Sequence, residues 1–180
     1  EQFCSSGGNI CNQPGAVSAV GYIEGTGRKV PIKRGLILQQ KICYIIGAGE
    51  CSRLLLPLKK EDFVIAVDGG YEYVKDGRVD LAIGDFDSLH YIPECKEKVV
   101  LQPEKDDTDM LSGIKEGLKR GYRYFYLYGG LGGRVDHSYA NVQCLSYLQK
   151  HGARGWLIGK KQVITMISGG EQICFPEGAD

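Results

Sequence analysis

The chain has 180 residues and a mass of 19.8 kDa, the size of one ordinary domain or of one domain with a fragment of another. Hydrophobic residues at 43% and charged residues at 24% exclude a disordered chain, and no apolar run reaches the ~18 residues that a spanning helix needs. Twenty-two basic residues balance 22 acidic ones, so there is no basic field to attract nucleic acid or a membrane surface.

Two features of composition narrow the reading further. The 26 glycines are about twice the ordinary share of ~7%, and glycine accumulates where backbone turns sharply or approaches a ligand closely. The seven cysteines, Cys4, Cys11, Cys43, Cys51, Cys95, Cys144 and Cys174, are odd in number and form no C-x-x-C pair. A zinc site and a disulfide framework are therefore not expected, and free thiols in a reducing cytoplasm are. No basic stretch followed by an apolar one opens the chain, so no secretory leader is expected.

Residues 1–40 differ from the rest. They carry Glu1 and Glu24 against Arg28, Lys29, Lys33 and Arg34, a net +2 that leaves −2 for the remaining chain. The first twenty are Gly, Ser, Asn and Pro in character, as in a tail or linker. The following AVGYIEGTGRKVPIKRG reads as two extended runs around a Gly-Thr-Gly turn. This extension suggests no function.

From Lys41 short apolar runs alternate with loops and helical stretches. The runs are 42–46, 63–67, 81–83, 99–101, 124–128 and 156–158. Several are apolar on successive residues, as strands covered on both faces must be. Two helices are predicted. Residues 108–119 place Met110, Leu111, Ile114 and Leu118 in one stripe, with Asp106 or Thr108 as cap and Gly121 beyond the end. Residues 136–150 place Val142, Leu145 and Leu148 on one side. Strand–loop–helix units of this kind predict an α/β fold, a Rossmann-like parallel sheet over residues 41–160. From Gln162 the texture changes to strand, turn, strand (QVITMIS, GGE, QICFP). Residues 161–180 are expected to begin a second, β-rich unit of the sandwich type. So short a sheet cannot bury its own face, so its strands are expected to pair with a partner subunit or with residues 21–40.

In an open parallel sheet ligands bind beyond the carboxyl ends of the strands. Five successive runs are followed there by acidic or glycine-rich segments. The first ends in Gly47-Ala48-Gly49-Glu50 and the second in Asp68-Gly69-Gly70. The third ends in Gly84-Asp85-Phe86-Asp87-Ser88. Asp85 and Asp87 are one residue apart, so in extended backbone both carboxylates point the same way, which suggests Mg²⁺. The fourth leads into Lys105-Asp106-Asp107-Thr108-Asp109 at a helix start. The helix macrodipole accounts for part of that acidic cluster, but three carboxylates exceed what a cap needs. The fifth ends in Gly129-Gly130-Leu131-Gly132-Gly133-Arg134-Val135-Asp136-His137, where glycine backbone and one guanidinium supply a phosphate cradle. No Gly-Lys-Ser/Thr occurs, so this is not a P-loop. Carboxylates for a hard metal, glycine loops, and Lys105 with Arg134 as counter-charges point to phosphoryl-type chemistry on a nucleotide. Asp106 and Asp136 are the candidate proton acceptors, and His137 is a lesser candidate for proton transfer.

The ordered set GAGE, AVDGG, GDFDS, KDDTD and GGLGGRVDH resembles the thiamine pyrophosphokinase family, most of all its bacterial form, over residues 41–180. The resemblance implies transfer of a pyrophosphoryl group from ATP to thiamine, with Mg²⁺ as cofactor. It implies Asp85, Asp87 and Asp109 as metal ligands. It also implies Asp68, Asp106, Thr108, Arg134 and Asp136 in the nucleotide and substrate site. Gly49, Gly69, Gly70, Lys105, Gly130, Gly133 and His137 complete the expected binding set. The resemblance further implies a homodimer whose β-sandwich domains help form the thiamine site. A later Ser-Asn segment of that domain has no counterpart up to Asp180, and residues 1–40 match nothing in the family. Two other readings fit parts of the pattern. One is a phosphatase of the haloacid dehalogenase type, whose D-x-D follows the first strand rather than the third. The other is a non-catalytic nucleotide-binding remnant of the same fold.

Overall fold

The computed structural model describes residues 40–50, 58–102 and 107–168. The expected hairpin in the first forty residues, the second strand of the carboxyl-terminal pair, Lys105 and Asp106 lie outside the described residues. The elements in chain order are β1 (Ile42–Ile46), β2 (Phe63–Val67), a 3-10 helix (Asp68–Tyr73), β3 (Leu81–Gly84), β4 (Glu97–Val100), α1 (Asp109–Lys119), β5 (Tyr124–Tyr128), α2 (Val135–Lys150), β6 (Arg154–Ile158) and β7 (Val163–Thr165). Each apolar run read as a strand is one, and both predicted helices form within a residue of their expected starts.

The strands make one seven-stranded sheet in the order β4-β3-β2-β1-β5-β6-β7. Every neighbouring pair from β4 to β6 is parallel, and β7 runs antiparallel to β6. Alternate residues of the strands feed two apolar layers, as a period of two requires. Cys43, Ile45, Ile65, Val67, Phe125, Leu127 and Leu157 face the layer that also holds Met110 and Ile114 of α1 and Leu145 and Leu148 of α2. Ile42, Tyr44, Ile46, Val64, Tyr126, Tyr128, Trp156 and Ile158 form the opposite layer. Tyr126 meets Tyr44 and Trp156 edge to face, with centroids 5.6 and 5.3 Å apart, the favoured geometry for aromatic quadrupoles. The tyrosines of β5 are thus packing residues, Tyr126 and Tyr128 within this layer and Tyr124 against it.

β7 departs from expectation. It adds to the main sheet, with Trp156 opposite Thr165 and Ile158 opposite Val163. One edge of β7 is thus paired within the same sheet.

The amino ends of β1 and β2 are held by buried carboxylates. Asp62, 1% exposed, accepts from the Ile42 and Lys59 amides at 2.9 Å each. Asp80 accepts from the Val64 amide at 3.0 Å and from Arg78 Nε at 3.1 Å. Arg78 in turn donates to the carbonyls of Lys59 and Asp62. A buried amide left without an acceptor costs about 1–3 kcal/mol. Asp62→Ala should therefore lower unfolding stability by about 2–4 kcal/mol, since it orphans two amides, and Asp62→Asn by clearly less. Denaturant titration checks this, and equal losses for the two variants would show that charge rather than acceptor capacity matters.

Candidate active site

Sequence order and strand order diverge at one place. From β1 the chain adds β2, β3 and β4 on one side of the sheet, then returns to place β5 and β6 on the other. A crevice opens beyond the carboxyl ends of strands at such a switch point. Here it lies between the loops after β1 and β5, where a cleft of about 530 Å³ is found.

Its floor is made by backbone. The Gly47 amide donates to Tyr128 O at 2.8 Å and the Gly49 amide to Gly129 O at 2.8 Å. A Cβ on Gly49 would stand 2.5 Å from Gly129 O and 2.9 Å from Leu131 O, and one on Gly129 would stand 2.1 Å from Gly47 O. The two loops can therefore touch only as glycine. Gly133 is different. Its φ is +69° and a Cβ there would meet nothing within 4 Å, so it faces open space in a left-handed turn.

One wall is acidic. Asp68 begins the 3-10 helix after β2, and Thr108 and Asp109 begin α1. All three line the cleft. Thr108 is the helix cap, accepting from the Leu111 amide at 3.2 Å, which decides the capping choice in its favour. Asp107 is drawn away into an ion pair with Lys115. The facing wall comes from α2. Arg134, His137 and Asn141 line the cleft together with Gly130 and Gly133. They lie three and four residues apart, on one helix face.

The third acidic loop stands behind the first wall. Asp85 and Asp87 do not line the cleft, but their loop is tied to it, since Ser88 Oγ donates to Asp68 Oδ2 at 2.8 Å. The backbone between the two carboxylates is not the extended one that their spacing suggests. Phe86 between them has φ +59° and the Asp87 amide donates to Asp85 Oδ1 at 3.2 Å. The segment is a tight turn, not extended backbone, so the one-residue spacing does not by itself align the two carboxylates. Among the described residues, no three His, Cys, Asp or Glu side chains converge on one point. The donor chemistry nonetheless suits a hard divalent cation, being carboxylate oxygen throughout. Asp68 Oδ1 is also buried without a partner, as an atom reserved for a ligand or cation would be.

Gly69 and Gly70 sit beneath the cleft and do not line it. A Cβ on Gly70 would stand 2.0 Å from Ile46 O, so this glycine lets the 3-10 helix pack against the end of β1. Asp136 is not directed at the cleft either. Its carboxylate pairs with Arg134, Oδ1 accepting from Nε at 3.1 Å and Oδ2 from the terminal nitrogen. The Arg134 guanidinium holds the Asp136 carboxyl below the usual carboxylate range, with the His137 amide adding to the effect.

Asn141 was not anticipated from the sequence. It is 9% exposed and donates from Nδ2 to Gly130 O at 2.9 Å, fixing the glycine loop to α2. The available signal was its place on the stripe of Arg134 and His137, which a search for apolar periodicity overlooks.

The two kinds of glycine should respond differently to substitution. Gly49→Ala must part the loops, at roughly 1–3 kcal/mol. Gly133→Ala meets only the left-handed backbone penalty, about 1–2 kcal/mol, and should leave the loop contact intact. Thermal unfolding and calorimetry on both variants check the order, and a milder effect at Gly49 would contradict the loop contact.

Residues 55–157 match the family model described as "Thiamin pyrophosphokinase, catalytic domain". The chain is 34% identical over 96 residues to the thiamine pyrophosphokinase of Bacillus subtilis, which covers 50% of this chain and 45% of that protein. It is also similar to the crystal structure of thiamine pyrophosphokinase from Bacillus subtilis. There the TM-score is 0.55 at 27% identity, over 67% of this chain and 61% of the other. For the structure of a probable thiamine pyrophosphokinase from Staphylococcus saprophyticus the TM-score is 0.52 at 28% identity, over 67% and 66%. The chain thus spans less than two thirds of the length of these relatives. The matched segment runs from before β2 through β6 and includes both walls of the cleft, and on that match the chain belongs to the thiamin pyrophosphokinase catalytic-domain family.

Proposed function

We propose that this chain carries the nucleotide-binding and catalytic site of a thiamine pyrophosphokinase, moving the terminal pyrophosphoryl group of ATP to the hydroxyethyl oxygen of thiamine and releasing AMP. The observation that carries this reading is the pairing of an acidic wall with a guanidinium-bearing wall across a glycine floor, at the switch point of a sheet from that family. The phosphate chain would lie between the walls, against Gly130, Gly133 and Arg134. Arg134 offers a planar fork of donors to a phosphate, and its pairing with Asp136 sets the plane of that fork. Asp85, Asp87 and Asp109 are the residues that would hold Mg²⁺, which when bound would supply charge neutralisation to the phosphate chain. Lys105 is assigned to the same anion and His137 to the cleft wall.

The attacking alcohol must lose a proton. Asp136 is already committed to Arg134 and held below the usual carboxylate range, which makes it a poor acceptor. We therefore assign proton acceptance to Asp106 and anchoring of Arg134 to Asp136. The thiamine site would be completed by a second, β-rich domain and a partner subunit in a cytoplasmic homodimer. Among the described residues no helix is long and apolar enough to cross a membrane. The phosphatase reading is disfavoured, because the Asp85–Asp87 loop follows β3, away from the switch point.

Release of AMP from ATP, measured with and without thiamine, tests the reaction. Thiamine-dependent AMP supports it, and nucleotide binding without turnover would favour the remnant reading. Arg134→Lys should weaken ATP use by about tenfold or more, because a point charge replaces a two-bond fork. Lysine matching arginine, with only alanine impaired, would reduce Arg134 to a simple charge.

The proton assignment makes a separate prediction in pH. A base loses activity as pH falls through its pKa. Asp136→Asn should lower ATP affinity yet keep that acid limb of kcat/KM, whereas Asp106→Asn should remove the limb along with most of the rate. The reverse pattern in the two profiles would exchange their roles.

A further inference from the structure

Asp68 is held in an unusual state by one neighbour. Its φ is +47°, a left-handed conformation uncommon outside glycine. Its backbone is pressed against β3, since a Cβ on Gly84 would come within 3.0 Å of Asp68 Cα. One carboxylate oxygen, Oδ2, accepts from Ser88 Oγ at 2.8 Å. The other, Oδ1, is buried with no partner. The Ser88 hydroxyl is itself seated, lying 3.1 Å from where a Cβ on Gly69 would be.

We propose that Ser88 is a positioning residue, which pins Asp68 Oδ2 so that Oδ1 is presented to a cation–nucleotide complex in the cleft. The inference rests on the reading of the cleft as a nucleotide site. A carboxylate at the start of a short helix has rotamer freedom, and an unpinned one turns its buried oxygen toward water. The hydroxyl removes that freedom. It also couples the loop after β3, with Asp85 and Asp87, to the loop after β2, so both acidic segments move as one unit. A hydroxyl donating to a carboxylate is a charge-assisted bond, stronger than a neutral one. Ser88 is exposed, so replacing it does not open a core cavity.

The test compares Ser88→Ala, Ser88→Thr and Asp68→Asn in the full chain. The probe is Mg²⁺ with α,β-methylene ATP, which cannot undergo the transfer, so binding is read by calorimetry independently of turnover. Ser88→Ala should weaken binding by roughly tenfold in Mg²⁺, and threonine, which keeps the hydroxyl, should restore most of it. In chelator without Mg²⁺ the alanine variant and the parent should bind alike. In turnover, Ser88→Ala should raise the Mg²⁺ concentration needed for half-maximal rate while kcat recovers at saturating Mg²⁺. Two outcomes overturn the proposal in distinguishable ways. Weak binding by Asp68→Asn with parental binding by Ser88→Ala shows that Asp68 acts without Ser88. Parental binding by Asp68→Asn removes Asp68 from the site and the inference with it, whereas no binding by the parent chain itself would overturn the reading of the cleft on which the inference stands.

Discussion

The contact between the loops after β1 and β5 is made entirely by backbone, and the site is assembled around it. Gly47 and Gly49 donate to Tyr128 and Gly129, extending the β1–β5 ladder one step past the end of the sheet. Each bond contributes about 0.5–1.5 kcal/mol, but the geometry is worth more than the energy. Side chains on this floor would fill the crevice, and the close approach forbids them. With the floor fixed, the direction in which the chain leaves each loop is fixed too. The β5 loop ends at Arg134, so the first turn of α2 must rise from the edge of the cleft and set Arg134, His137 and Asn141 along it. Asn141 then binds back to Gly130 and closes the arrangement.

Polar groups are divided between the two ends of the sheet according to what satisfies them. At the amino ends, Asp62, Asp80 and Arg78 saturate one another and the first amides of β1 and β2. Little of that network is left to bind anything, and its effect is stability. At the carboxyl ends Asp107 pairs with Lys115 and Asp136 with Arg134, while Asp68 Oδ1 is buried with no hydrogen-bond partner. Both ends are acidic, so charge alone does not tell them apart. What sets the carboxyl end apart is the acceptor left open at Asp68, on the edge where the fold rule places ligands.

Strands and helices were legible because their signals are local. Five-residue apolar runs can be buried only on both faces, and the Met110–Ile114 stripe fits only a helix. The loop motifs were legible as a set, because each follows a strand. What could not be read was how the loops bend. The spacing of Asp85 and Asp87 suggests extended backbone, whereas Phe86 between them is left-handed, with its ring buried at 3% exposure. The glycines were read together as ligand contacts, but Gly49 and Gly129 serve loop contact, Gly70 serves packing and Gly133 serves a turn. No periodicity separates these roles, since each depends on which backbone segment lies opposite. The strand–turn–strand texture from Gln162, where a helix no longer follows each strand, suggests the start of another unit at β7. Its antiparallel pairing closes a short hairpin on β6, with Ile158 opposite Val163 and the Gly159 amide donating to Gln162 O, so the contact is local and set by the Gly159–Gln162 connection.

Backbone strain sorts the acidic loops further. Among the described residues, the three non-glycine residues with positive φ are Asp68, Phe86 and His90, all in the loops after β2 and β3. Such a conformation costs about 1–2 kcal/mol. Phe86 recovers this by burying an aromatic ring, which contributes about 1.5–3 kcal/mol. Asp68 has no such recompense. It gains one bond from Ser88, while its second oxygen lies buried and unpaired at a penalty of about 1–3 kcal/mol. Glycine would remove both the strain and the orphaned oxygen, and glycines occupy the next two positions. Within the protein alone, then, the carboxylate at 68 is a net liability. It becomes favourable only when something in the cleft supplies Oδ1 with a donor or a positive charge. Strain that packing does not offset is the mark of a residue kept for binding, and by that measure Asp68 rather than Phe86 belongs to the site.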